Sequence, residues 1–301
     1  MFVLDADSSS IHTHGMVYSP TDPSMLISVG EDGVKIWDLN KQALRRALKN
    51  TPRMNCLAIS PNGKQLAGCQ QHFGSQTKCN ILTYTVPGGR TKETISTPFT
   101  YCNYIQYSPE GGMLAVSGTE RRFHDGALRR WNLDTGKQRR AIEGHEGQIG
   151  VFGFSSDGRH LVTGGEDKLA HIWNHSSREQ LATLKHPEKV WGACFSNDGS
   201  IVATVGGKNI FLWSVPKGKK LATLKGHSDT VFDLAISPDG EKLASASADK
   251  TVRFWSLSSK MEIAVYEWEV GELRNVAFSC DGMTAAVSSD SGKIVVWDVV
   301  D

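Results

Sequence analysis

Residues 161–173 read LVTGGEDKLAHIW, and residues 243–255 read LASASADKTVRFW. Each stretch is a pair of short alternating apolar runs joined by a polar turn at Asp-Lys and ending on tryptophan. Alternation sends successive side chains to opposite faces, so each run predicts a strand and each pair a hairpin.

The terminal aromatic recurs at Trp37, Tyr84, Trp131, Trp173, Trp213, Trp255 and Trp297, at intervals of 40 to 47 residues. Upstream of each aromatic, a strand runs into a tight turn: YSPTDPS, ISPNGK, YSPEGG, FSSDGR, FSNDGS, ISPDGE and FSCDGM. Asp-Gly, Asn-Gly and Pro at these points supply the backbone conformations that hairpins need. A further run, such as KLATLK at 220–225, follows the aromatic. The chain therefore reads as seven units of four strands, a to d, at approximately 16–49, 54–97, 102–143, 148–185, 189–225, 230–268 and 273–301.

A four-stranded sheet this small cannot bury both faces alone, and stacking the units radially protects most edges. The expectation is an all-β, seven-bladed β-propeller of four-stranded antiparallel blades, with residues 1–301 as a single domain. The last unit ends in KIVVWDVVD and stops at strand c, whereas MFVLDAD at the start has no blade of its own. Residues 2–6 are therefore predicted to pair with the last blade as its missing strand d.

Lys and Arg number 33 against 32 Asp and Glu, so no global field draws the chain to nucleic acid or to a membrane. No stretch approaches the roughly 20 apolar residues that span a bilayer, and the N-terminus lacks the pattern of an export signal. The six cysteines show no CxxC spacing. Reduced thiols in a cytoplasmic setting are expected. There is no glycine-rich phosphate loop, so no nucleotide cofactor is implied, nor any other.

WD stands at Trp37-Asp38 and Trp297-Asp298, and GH at Gly144-His145 and Gly226-His227. On these residues and the two hairpins quoted first, the chain resembles the WD-repeat family over essentially its whole length. The resemblance implies a polar set of His145, Thr163, Asp167 and Trp173 in unit four, and of His227, Ser245, Asp249 and Trp255 in unit six. Their implied role is a hydrogen-bond chain across the blade rather than a catalytic triad, because side chains packed against Trp offer no exposed nucleophile. Unit one keeps Ser28, Asp32 and Trp37 without the His, unit five keeps His186 without the Asp, and unit two has Tyr84 in place of Trp.

The resemblance also implies that partners bind the face carrying the d-to-a and b-to-c loops. Five residues before each strand-a Ser stand His14, Asn55, Asn103, Gly150, Trp191, Phe232 and Arg274. Seven before stand His12, Arg53, Tyr101, Gln148, Lys189, Thr230 and Glu272. Trp191 is not one of the repeat tryptophans. With Phe232 on the next unit and Arg and Lys alongside, it has the composition of an interface hot spot. Units two and three carry longer b-to-c loops, CQQHFGSQTKC and SGTERRFHDG. These are expected to raise a wall bearing His72, Phe73, Arg121, Arg122, Phe123 and His124.

Residues 120–140 hold Arg121, Arg122, Arg129, Arg130, Lys137, Arg139 and Arg140 against Glu120, Asp125 and Asp134. Strand alternation sends neighbouring arginines to opposite faces. His12 and His14 share one side of a strand, but no third metal ligand is evident and no metal is expected.

The functional expectation is a monomeric, non-enzymatic scaffold that holds a protein or peptide on its loop-rich face. The alternatives are a small enzyme site at the channel mouth, or an acidic or phosphorylated ligand held by the arginines of unit three. Binding of nucleic acid or anionic lipid through the same unit is disfavoured by the near-neutral charge.

Overall fold

The computed structural model describes all residues except 7–14, 49–50, 52, 71–77, 121–124 and 300–301. Its described residues form 28 strands and no helix. Blades one, two and three are Gly15–Tyr18, Met25–Gly30, Gly33–Asp38 and Ala43–Ala47; Met54–Ile59, Gln65–Gln70, Asn80–Thr85 and Thr91–Ser96; and Tyr101–Tyr107, Met113–Thr119, Asp125–Asn132 and Gln138–Glu146. Blades four and five are Ile149–Phe154, His160–Gly165, Leu169–Asn174 and Gln180–Lys185; and Ala193–Phe195, Ile201–Gly206, Asn209–Ser214 and Lys220–Leu224. Blade six is Val231–Ile236, Lys242–Ser247, Thr251–Ser256 and Glu262–Glu267. Blade seven takes strands a to c from Leu273–Phe278, Thr284–Ser289 and Lys293–Asp298, and strand d from Phe2–Asp5.

Each sheet is antiparallel in the order a-b-c-d. The a strands of successive blades touch one another in sequence, and strand a of blade one touches both that of blade two and that of blade seven, so the ring is closed with the a strands innermost. The b and c strands carry the core: Leu161, Val162, Ala170 and Ile172 in blade four have no solvent exposure, and neither do Leu243, Ala244, Ala246 and Val252 in blade six. Outer strands are mostly exposed.

Closure by the N-terminal strand is as the sequence predicts. Phe2 pairs with Val296, Val3 with Val295, Leu4 with Ile294 and Asp5 with Lys293. Leu4 and Ala6 are buried in one apolar cluster with Leu26 and Trp37 of blade one and Ala286, Ile294 and Val296 of blade seven. This strand thus adds an edge to blade seven and a plug between blades seven and one.

The a-to-b turns owe their recurrence to the serine that precedes them. Ser155 Oγ donates to Asp157 (2.6 Å) and accepts from the amide of His160 (2.9 Å), and Ser196 and Ser279 repeat the arrangement with Asp198 and Asp281. The hydroxyl staples the turn from beneath while the aspartate caps it from above. These turns and the c-to-d turns lie on one face of the ring. The antiparallel order puts the d-to-a and b-to-c loops on the other.

Candidate functional site

In blade four the Trp173 indole donates to Thr163 Oγ1 (2.9 Å), which also bonds His145 Nε2 (2.8 Å), and His145 Nδ1 lies 3.0 Å from both carboxylate oxygens of Asp167. Asp167 in turn accepts the amides of Glu146 and Leu169. Blade six builds the same chain from Trp255, Ser245, His227 and Asp249 (2.9, 2.7 and 2.8 Å). Thr163 and Ser245 are fully buried, so neither hydroxyl faces a space that a substrate can enter. In blade five, where the aspartate is missing, His186 Nε2 still bonds Thr204 and its Nδ1 lies 3.1 Å from the Leu184 carbonyl oxygen, a backbone acceptor in the carboxylate's place.

His145, Asp167 and His171 bring three metal-ligating side chains within 4.8 Å of one another, the one such group among the described residues. Both nitrogens of His145 are committed to Thr163 and Asp167, so a metal would have to displace one of these bonds. Burial holds the His171 imidazole neutral, with its pKa pushed down to about 4.

On the loop-rich face, Trp191 is 39 % exposed. The residues on either side explain how it is presented. Val190 is fully buried, and Gly192 passes so close to Val205 that a Cβ would sit 2.9 Å from its methyl, so the backbone is pinned on both flanks and the indole turns outward. The ring then lies across Gly150 of blade four, where a Cβ would meet it at 2.7 Å. Lys189 stands 5.8 Å from the ring centroid, and its ammonium is 2.6 Å from Glu166.

Phe232 at the equivalent position of blade six is not an open aromatic. It is half-buried, and the Arg274 guanidinium covers its ring at 4.1 Å from the centroid, itself held by Glu272 at 2.7 Å. Arginine is drawn there because its planar cation stacks on an aromatic face at small desolvation cost. Of the other sequence-predicted residues, Tyr101 is 44 % exposed and Arg53 pairs with Glu31 at 3.0 Å. His12, His14, His72, Phe73, Arg121, Arg122, Phe123 and His124 lie outside the described residues. Cys69 and Cys79, which flank the longer loop of blade two, are both buried free thiols.

Sequence reasoning missed Asp233. It sits on strand a of blade six, accepting the amides of Leu234 and, across the blade boundary, Val276 (3.0 Å). Burial nevertheless holds its carboxyl up at about 6, and its field reaches Tyr104 of blade three and Cys194 of blade five. The signal was present as one acid inside the apolar run VFDLAI. Gly150, the floor under Trp191, carried no such signal, because its value comes from a neighbour's ring.

A family model described as WD domain, G-beta repeat matches residues 136–174, 178–214, 218–256 and 265–298. Each match begins near strand d of one blade and ends at strand c of the next, so the four cover blades four to seven. The chain is similar to apoptotic protease-activating factor 1 of Rattus norvegicus, with 24 % identity over 299 residues, 99 % of this chain and 23 % of that protein. It is also similar to the periodic tryptophan protein 2 homolog of Dictyostelium discoideum, 28 % identical over 65 % of this chain and 21 % of that protein. The B-type cell cycle switch protein ccs52B of Medicago truncatula is 28 % identical over 80 % of this chain and 49 % of its own length. The chain thus spans between about a fifth and a half of the relatives it matches.

Proposed function

This chain belongs to the WD-repeat family, and from that premise we propose that it is a non-enzymatic scaffold that binds a protein or peptide on its loop-rich face, with Trp191 as anchor. The observation that carries the reading is the outward indole of Trp191, pinned by Val190 and Gly192 and laid on Gly150. A large apolar ring held rigid before binding loses little entropy when a partner covers it. Lys189, Glu166 and the Arg274–Phe232 stack supply a charged rim beside it. The free state of all six cysteines supports a reducing, cytoplasmic setting, and we take the single propeller as the working unit.

Selection of ligands from a random peptide library tests the proposal. Peptides retained by the wild-type protein should lose about tenfold or more in affinity on Trp191→Ala, the size expected of an interface anchor. They should bind a control variant such as Lys260→Ala, on the opposite face, as tightly as before. Equal affinity for wild type and Trp191→Ala would overturn the assignment of the face.

A further inference from the structure

On the opposite face, a cleft of about 560 Å³ between blades three and four is lined by Met113, Arg130, Arg139, Arg140, His175, Ser176 and Arg178. Elsewhere Arg53, Arg129, Arg159, Arg253 and Arg274 each have a carboxylate partner, and the described arginines without one, Arg45, Arg46 and Arg90, are not gathered in one cleft with a buried arginine. Among the described residues none of the four arginines of this cleft does. The one acid whose field reaches the cleft's His175 is Glu110.

The floor of the cleft is built rather than incidental. Arg130 is 4 % exposed; its Nη1 donates to the His175 carbonyl (3.0 Å) and faces His175 Nδ1 (3.3 Å), and its Nη2 donates to the Arg140 carbonyl (3.1 Å). It thereby locks strand d of blade three to the c-to-d turn of blade four. Its buried Nε has no partner. Burial and the neighbouring Arg178 and Arg139 push its pKa down to about 10, so the cations in the cleft already oppose one another. With Nδ1 facing a guanidinium donor, neutral His175 carries its proton on Nε2 and adds another donor.

We propose that this cleft binds a phosphate monoester presented on a phosphoserine or phosphothreonine segment of a partner protein. Several guanidinium forks without a resident carboxylate match a dianion with three acceptor oxygens better than a single carboxylate. Strand d of blade three, Gln138–Glu146, is the longest described strand and the free edge of its sheet, with Arg139 and Arg140 exposed at its start. An extended segment can pair with that edge while its phosphate enters the cleft.

The probes are two fluorescein-labelled degenerate peptide pools that differ only in a fixed central phosphoserine or serine, followed by fluorescence anisotropy at about 0.15 M salt, where long-range attraction is screened. The phosphoserine pool should bind about tenfold or more tighter than the serine pool, and the double variant Arg139→Ala/Arg140→Ala, or Arg178→Ala alone, should remove most of that difference. These side chains are wholly or partly exposed, so circular dichroism and melting temperature should stay unchanged. Trp191→Ala should leave phosphopeptide binding intact, which separates this site from the loop-rich face. The proposal is overturned if the two pools bind alike or if Arg45→Ala/Arg46→Ala on blade one weakens binding as much. It is also overturned if inositol hexakisphosphate or inorganic phosphate binds the cleft while the phosphoserine pool does not.

Discussion

Val287 stands in blade seven where Thr163, Thr204 and Ser245 stand in blades four, five and six, and the indole Nε1 of Trp297 is consequently buried with no acceptor. Trp173, Trp213 and Trp255 donate to those hydroxyls at 2.8 to 2.9 Å, and Trp37 does the same to Ser28 in blade one. Blade seven compensates with aromatic contact: Trp268 packs on Trp297 with ring centroids 4.7 Å apart.

Supplying the missing acceptor should therefore stabilise the protein. Val287→Thr is near in shape and is expected to add about 0.5–1.5 kcal/mol, whereas Ser245→Ala, which strips a partner from both Trp255 and His227, is expected to cost about 1–3 kcal/mol. Urea unfolding of the two variants checks the contrast in sign.

Ring closure is tested by Leu4→Ala. Leu4 is 4 % exposed within the cluster joining blades seven and one, and truncating such a side chain costs about 2–5 kcal/mol. Deleting residues 1–6 also removes the strand pairing and should lower the melting temperature further. An unchanged melting temperature in the deletion variant would show that the first strand does not close the ring.

Acid should weaken the fold through its buried imidazoles. His171 and His186 are held by burial at about 4, below the ordinary 6.5. Between pH 6.5 and 4 the unfolded chain takes up these protons and the folded chain does not, so their contribution is complete above 6.5 and falls as the pH drops. Asp233 runs the other way: with its carboxyl raised from 3.8 to about 6, the folded state holds a proton that the unfolded state has released, and its contribution is lost as the pH rises through 6. Melting temperatures should decline from pH 7 to 4.5, and Asp233→Asn should make that decline steeper.

Gly150→Ala gives an independent reading of the loop-rich face. The added methyl would meet the Trp191 ring at 2.7 Å and tilt it away. Peptide affinity should fall nearly as far as on Trp191→Ala, although no ligand-contacting atom has been deleted. A calorimetric titration with any peptide selected on the wild type shows whether it does.

The strands and the ring were legible because they rest on period: a two-residue alternation, a 40-to-47-residue repeat and an unmatched segment at each end. The pairing of Phe2 with Val296 follows from counting. The candidate site was legible only where a residue broke the pattern, as Trp191 does. What register could not carry was contact between blades. Arg274 covering Phe232 turns an expected open aromatic into a capped one. The blade-three arginines acquire a shared cleft only because the c-to-d turn of blade four delivers His175 and Arg178 to them. Such meetings join residues some 40 positions apart through side-chain direction, which alternation alone leaves undetermined.

The ladder between Phe2–Asp5 and Lys293–Asp298 has a mechanical side. Met1 and Asp298 lie at the same end of it, the terminal amine 3.7 Å from the carboxylate. Tension applied between residues 1 and 299 therefore loads the pairs one after another, beginning with Phe2 and Val296, instead of shearing all of them at once. A propeller tethered through both ends would peel open at blade seven under modest force, while the other six sheets, which share no ladder with Phe2–Asp5, keep their pairing.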